Sequence, residues 1–245
     1  MKIALVTGGS KGIGLYSVFR LVKQGYKVVT CSRSREVWQH AMQKYPELQT
    51  VDYQLVDIAD EQQLDGLFAH IAESYGKLDV AVNNASPALA SRGYLPEIDV
   101  TLLKETLHVD FLCQALCLRS ELKLMEAGAS IVNVSSVNGL RPTPNASMYS
   151  AAKHALEGLT RSVALESIKS GIRINAVAPG VTWTPRWEER QLENSNIRAD
   201  VSGVVPINRF GEIDEIVNAI EFLLSDKASY IVGHTLVVDG GLSLA

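Results

Sequence analysis

Short runs of β-branched and apolar residues alternate along the chain with longer stretches in which apolar positions recur every three or four residues. The first pattern suits strands buried on both faces, and the second suits helices that lay one face on a sheet. Strands are expected near residues 2–7, 26–31, 51–56, 78–83, 130–135, 172–177 and 235–238, and helices near 12–24, 35–44, 60–75, 100–126, 147–169 and 212–225. The helical segments between the strands make the connections crossovers rather than hairpins. The pattern therefore predicts an α/β doubly wound (Rossmann) fold, a parallel sheet of about seven strands with helices on both faces, formed by residues 1–245 as a single domain. The longest stretch without a clear period, roughly 181–205, is expected to be a substrate loop. Trp183, Trp187 and the charged run Arg186, Glu188, Glu189 and Arg190 would suit one short amphipathic helix over a cleft.

Composition narrows the function. Lys and Arg number 23 against 27 Asp and Glu, a formal charge of −4, and no basic block is present to neutralise a phosphate backbone, so nucleic acid is not an expected partner. No apolar stretch approaches ~18 residues, so no membrane span is expected. The apolar run after Lys2 stops at Gly8 and Gly9, too short for a signal peptide, which points to the cytoplasm. Cys31, Cys113 and Cys117 lack the flanking ligands of a metal site and are expected to be free buried thiols.

After the first strand comes Thr7-Gly8-Gly9-Ser10-Lys11-Gly12-Ile13-Gly14. Such glycines permit a tight turn and let a helix N-terminus present bare N–H groups to a pyrophosphate, although the same glycines could serve only close packing of strand and helix. The second strand ends at Ser32-Arg33, where an NAD site would place an acid on the ribose 2′-hydroxyl. No acid is there. Arg33 and Lys11 could instead flank a 2′-phosphate, which favours NADP (NADPH) over NAD.

Tyr149 and Lys153 stand four apart in a helical segment, so their side chains rise from one face. A phenol alone is a poor base at neutral pH, but a cation held beside it favours the phenolate and makes proton exchange with an alcohol or carbonyl feasible. Tyr-x-x-x-Lys pairs are common in helices and are often structural. Here, however, the buried-type strand Ile131 to Ser136 delivers two hydroxyls to the carboxyl end of a sheet, where open α/β folds put their ligands, and Ser136 could donate to the reacting oxygen.

These motifs, in this order, resemble the short-chain dehydrogenase/reductase family from Ile3 to Gly241, including its 3-oxoacyl-carrier-protein reductase-like members. Thr7 to Gly14 is similar to the family's nucleotide turn, Asp57-Ile58 to its adenine-contacting segment, Asn83-Asn84-Ala85 to its NNAG element and Tyr149 to Lys153 to its YxxxK. Pro179-Gly180 and Asp239-Gly240-Gly241 also fit. The resemblance implies Tyr149 as general acid/base, Ser136 as the donor that orients the carbonyl, and Lys153 as phenol activator and ribose ligand. It implies Gly8, Ser10, Lys11, Gly12 and Ile13 around the pyrophosphate, Ser32 and Arg33 near the 2′-phosphate, and Asp57, Ile58, Asn84 and Thr182 along the rest of the cofactor. It also implies a homotetramer and a small carbonyl or alcohol substrate, as in a ketone or 3-oxoacyl reductase. Two residues depart from the pattern: Ser86 replaces the last glycine of NNAG, and Asp110 replaces the asparagine that completes the catalytic tetrad. The alternatives are an NAD-linked alcohol or sugar dehydrogenase, which the missing ribose acid argues against, and a non-catalytic nucleotide-sensing or scaffold protein, which only Asp110 favours.

Overall fold

The computed structural model describes residues 1–87 and 89–245. Seven strands, β1 (Ile3–Thr7), β2 (Lys27–Ser32), β3 (Asp52–Leu55), β4 (Leu78–Asn83), β5 (Met125–Val134), β6 (Arg173–Pro179) and β7 (Thr235–Val238), form one sheet in the order β3-β2-β1-β4-β5-β6-β7. Every pairing is parallel. Successive residues of β1 take opposite sides: Ile3 and Leu5 pack into one apolar layer, Ala4 and Val6 into the other. Helices cover both layers, so the strands read as nearly continuous apolar runs. The fold is the expected doubly wound α/β sheet.

The helices are α1 (Gly12–Lys23), α2 (Arg35–Lys44), α3 (Glu61–Tyr75), α4 (Val100–Leu107), α5 (Cys113–Leu122), α6 (Ser147–Ser167), α7 (Pro185–Glu193), α8 (Ile197–Ser202) and α9 (Ile213–Leu224). Side chains close the N-termini of several. Asp60 accepts from the Gln62 and Gln63 N–H groups at α3, Asp99 from Thr101 N–H at α4, and Ser34 from Val37 N–H at α2.

Two expectations change. The periodic stretch 100–126 is not one helix: a π-helical turn, His108–Leu112, separates α4 from α5, and the helix ends at Leu122. Average apolar spacing hides one wide turn. The helix also stops early because the Leu124 carbonyl accepts from Leu78 N–H and Met125 starts β5, five residues before the expected strand. The segment 181–205 carries two short helices rather than one. Pro185 starts α7 in its first turn, and Asn194, in extended backbone, ends it before α8.

Candidate active site

The strand order reverses between β1 and β4, so their following helices leave on opposite faces and a crevice opens at their carboxyl ends. A cavity of about 440 Å³ occupies it. Its walls include Gly8, Ser10, Lys11, Gly12, Ile13, Ser32, Arg33, Asp57, Ile58, Asn84, Thr182, Ser136, Tyr149 and Lys153. The fold thus brings these fourteen sequence-selected residues to one space. Asp110 is not among the cavity walls.

The glycine turn serves both packing and access. A side-chain carbon on Gly14 would meet the Gly8 carbonyl oxygen at 2.3 Å, so that glycine is required for α1 to seat against the turn. Gly12 has φ +59 and nothing closer than Thr184 at 3.9 Å, and the first turn of α1 has neither a side-chain cap nor an acid. Its N–H groups remain available to an anion, which fits a dinucleotide pyrophosphate. Asn84 spends its amide bracing the turn, donating to the carbonyl oxygens of Thr7 (3.1 Å) and Gly8 (3.2 Å). Ser32 Oγ lies 3.0 Å from the Tyr53 hydroxyl, and Thr182 Oγ1 turns back 3.4 Å to the Gly180 carbonyl. Lys11 reaches Glu189 of α7 at 3.6 Å, both largely exposed. Arg33 is exposed and has no carboxylate within 4.0 Å among the described residues.

On the other side, Ser136 leaves β5 and caps a short 3-10 turn, Val137–Gly139, by accepting from Asn138 N–H at 3.1 Å. Because its oxygen accepts there, its own hydrogen is free to donate toward the cavity. That turn lies hard against α6: a carbon on Gly139 would meet the Lys153 carbonyl carbon and oxygen at 2.9 Å, so only glycine lets Ser136 come so close to the Tyr149 and Lys153 turn. Lys153 is 2% exposed, donates to the Val134 carbonyl at 3.3 Å, and holds its ammonium 5.6 Å from the Tyr149 ring centre.

Asp110 stands one layer behind. The π turn carries it to 3.6 Å from the Lys153 ammonium, and both side chains are 2% exposed. Ser86, which the sequence offers only as a residue in place of a glycine, donates to the same carboxylate oxygen at 2.6 Å. Arg186 of α7, which the sequence offers only as part of a charged run over a cleft, donates its guanidinium to the Ser86 (3.2 Å) and Pro87 (2.7 Å) carbonyls and ties the 181–205 segment to the cavity rim. Trp183 and Trp187 both pack edge-on against Phe210, at 5.0 and 5.1 Å, which anchors that segment, and Trp187 also lines the cavity.

Below the site lies a buried polar cluster. Asn83 donates to Glu121 at 2.9 Å and to Asn133 at 3.0 Å, and Asn133 donates to Thr160. Burial pushes the Glu121 carboxyl up to about 7, partly offset by the Asn83 hydrogen bond. The native state then holds a proton that the unfolded chain releases above its ordinary value near 4.5. The resulting stability is full below that value and is lost as pH rises to about 7, a change of about 3 kcal/mol. Glu121→Gln should flatten this slope and be the more stable protein above about pH 7. Urea unfolding between about pH 5 and 8 checks it, and parallel slopes for both proteins would count against a buried proton. Burial likewise pushes the thiols of Cys31 and Cys113 up to about 11 and that of Cys117 well above its ordinary value, so all three are unreactive at neutral pH. No group of metal-ligating side chains occurs among the described residues, and no described helix is long and apolar enough to cross a membrane.

A doubly wound sheet with an uncapped helix N-terminus, a buried lysine, a phenol and a strand-end serine around one crevice defines a dinucleotide-site enzyme class. A family model described as enoyl-(acyl carrier protein) reductase matches residues 8–243, and the chain belongs to the short-chain dehydrogenase/reductase family of oxidoreductases. It is 37% identical to cis-4-hydroxycyclohexanecarboxylate dehydrogenase of Sinomonas cyclohexanicum, over 98% of this chain and 96% of that one. It is 34% identical to 2,5-dichloro-2,5-cyclohexadiene-1,4-diol dehydrogenase of Sphingobium indicum, over 99% of this chain and 97% of that one. Among solved structures, ElxO with NADP bound superposes with a TM-score of 0.93 at 32% identity, covering 100% of this chain and 99% of that one.

Proposed function

We propose that this chain is an NADP-dependent oxidoreductase that interconverts a secondary alcohol and a ketone. The observation that carries the reading is the convergence of Ser136, Tyr149 and Lys153 on the cavity into which the first turn of α1 opens. A dinucleotide held by the Gly8 to Ile13 turn, with Arg33 near its 2′-phosphate, would supply the hydride chemistry. Ser136 donates a hydrogen bond to the reacting oxygen, and Tyr149 gives that oxygen a proton in reduction and takes it back in oxidation. Lys153, fixed by Val134 and Asp110, keeps positive charge beside the phenol.

The cofactor choice rests on Arg33 and Lys11 and on the absence of an acid after β2; the NADP-bound relative supports it. For the substrate, two relatives are named for alcohols on six-membered carbon rings, which favours an alicyclic alcohol or ketone. A 3-oxoacyl thioester is the second reading, favoured by the acyl-carrier description of the matching family. The family resemblance also supports a cytoplasmic homotetramer, which light scattering would test. A panel of cyclohexanols, cyclohexanones and 3-oxoacyl thioesters, scored by nicotinamide absorbance with NADP and NAD, tests the reading. Turnover of a ring alcohol or ketone with NADP is expected. A protein that binds the cofactor but turns over no carbonyl or alcohol would be the non-catalytic alternative.

A further inference from the structure

The two positions at which this chain departs from its family's pattern, 24 residues apart in sequence, are in contact: Ser86 Oγ donates to Asp110 Oδ1 at 2.6 Å. That length belongs to hydroxyl-to-carboxylate bonds, which are stronger than neutral ones. Three elements meet there, the loop after β4, the π turn before α5, and α6 with Lys153. The same Asp110 oxygen that takes the Ser86 hydrogen lies 3.6 Å from the Lys153 ammonium. A carboxylate only 2% exposed must be compensated by partners, since water is excluded, and these two supply the compensation.

The other ionisable groups around it are few. Tyr149 lies one turn before Lys153 on α6. Cys113, one turn beyond Asp110, is held protonated mainly by burial and then by the charges of Asp57 after β3, Glu61 on α3 and Asp110 itself. His108 on the π turn is directed away, its Nε2 within 3.0 Å of the Ala59 carbonyl. Among the described residues, Asp110 is the carboxylate that lies within 4.0 Å of the ammonium.

We propose that Ser86 and Asp110 form one positioning unit that holds a fixed negative charge against Lys153 and thereby sets the pH at which the Tyr149 phenol exchanges its proton. This rests on the hydride-transfer reading above. The carboxylate keeps the ammonium in place but opposes a second negative charge on the phenol, so proton exchange is displaced to higher pH than a neutral amide at position 110 would allow. The Ser86 hydrogen bond draws charge from the carboxylate and keeps it from swinging further toward the lysine. Ser86 and Asp110 thus compensate each other.

The test is a double-mutant cycle on the full chain: wild type, Ser86→Ala, Asp110→Asn and the double variant, each assayed for kcat/KM of alcohol oxidation against pH. Asp110→Asn is expected to move the rising limb down by about one pH unit. Ser86→Ala is expected to move it up when Asp110 is present and to leave it in place in the Asp110→Asn background, while Ser86→Thr keeps the wild-type position. Equal movement by Ser86→Ala in both backgrounds, or none in either, would overturn the proposal. A readout independent of turnover is the same cycle in thermal stability, where non-additive losses are expected and additive ones would refute the unit. If the wild type binds NADPH but oxidises no alcohol, the functional reading fails together with the pH-setting role, whereas non-additive stability losses would leave the Ser86–Asp110 pairing standing.

Discussion

Replacing Tyr149 with phenylalanine should lower kcat by about 10²–10⁴-fold on the best substrate found, while the dissociation constant for NADPH stays within about threefold. On the proposed reading, the phenol is the group that moves a proton to or from the reacting oxygen. Its ring sits on α6 beside Lys153, whose position depends on Val134 and Asp110 rather than on the phenol hydroxyl. The substitution therefore deletes one oxygen without emptying the packing around it. Stopped-flow hydride transfer and cofactor fluorescence titration separate the two effects. A variant that retains near-wild-type kcat would remove Tyr149 from the chemistry.

The cofactor end should respond as strongly to a change of charge. Wild type is expected to bind NADPH about 10–100-fold more tightly than NADH, and Arg33→Asp to abolish or reverse that preference. Arg33 has no carboxylate partner among the described residues and lies at the end of β2, where an acid would otherwise meet a ribose hydroxyl. Lys11 is engaged with Glu189, but an exposed pair of this kind contributes roughly 0–1 kcal/mol and yields readily to a phosphate dianion. Paired titrations of the two cofactors read the ratio directly. Equal affinities in the wild type, or an unchanged ratio in Arg33→Asp, would withdraw the assignment to NADP.

These two predictions draw on residues already legible as letters. The glycine turn, Arg33, Ser136, Tyr149 and Lys153 can be read without coordinates because each occupies a place set by local geometry: a strand end, a helix start or two positions one turn apart. The parallel sheet is legible for the same reason, since apolar periods report which faces are buried. The π turn at His108–Leu112 was not legible, because one wide turn leaves the average spacing of apolar residues almost unchanged. Of the two helices within 181–205, α7 lies where the Trp187 and charged run suggested one, whereas α8, Ile197–Ser202, was not legible because six residues are too few to show a helical period.

Ser86 shows the divide most clearly. By sequence it is a small residue in place of a glycine, and Asp110 is a carboxylate in place of an amide, two separate departures with no stated relation. The pairing of β1 with β4 and the wide turn before α5 bring them to 2.6 Å from each other, with Lys153 on the far side of the same carboxylate. The sequence by itself determined which chemical groups the protein has and which secondary elements carry them, because those depend on neighbours within a turn or a strand. Which buried charge faces which partner was decided only by the tertiary structure, because excluding water from a pair is the work of several distant elements closing on it at once.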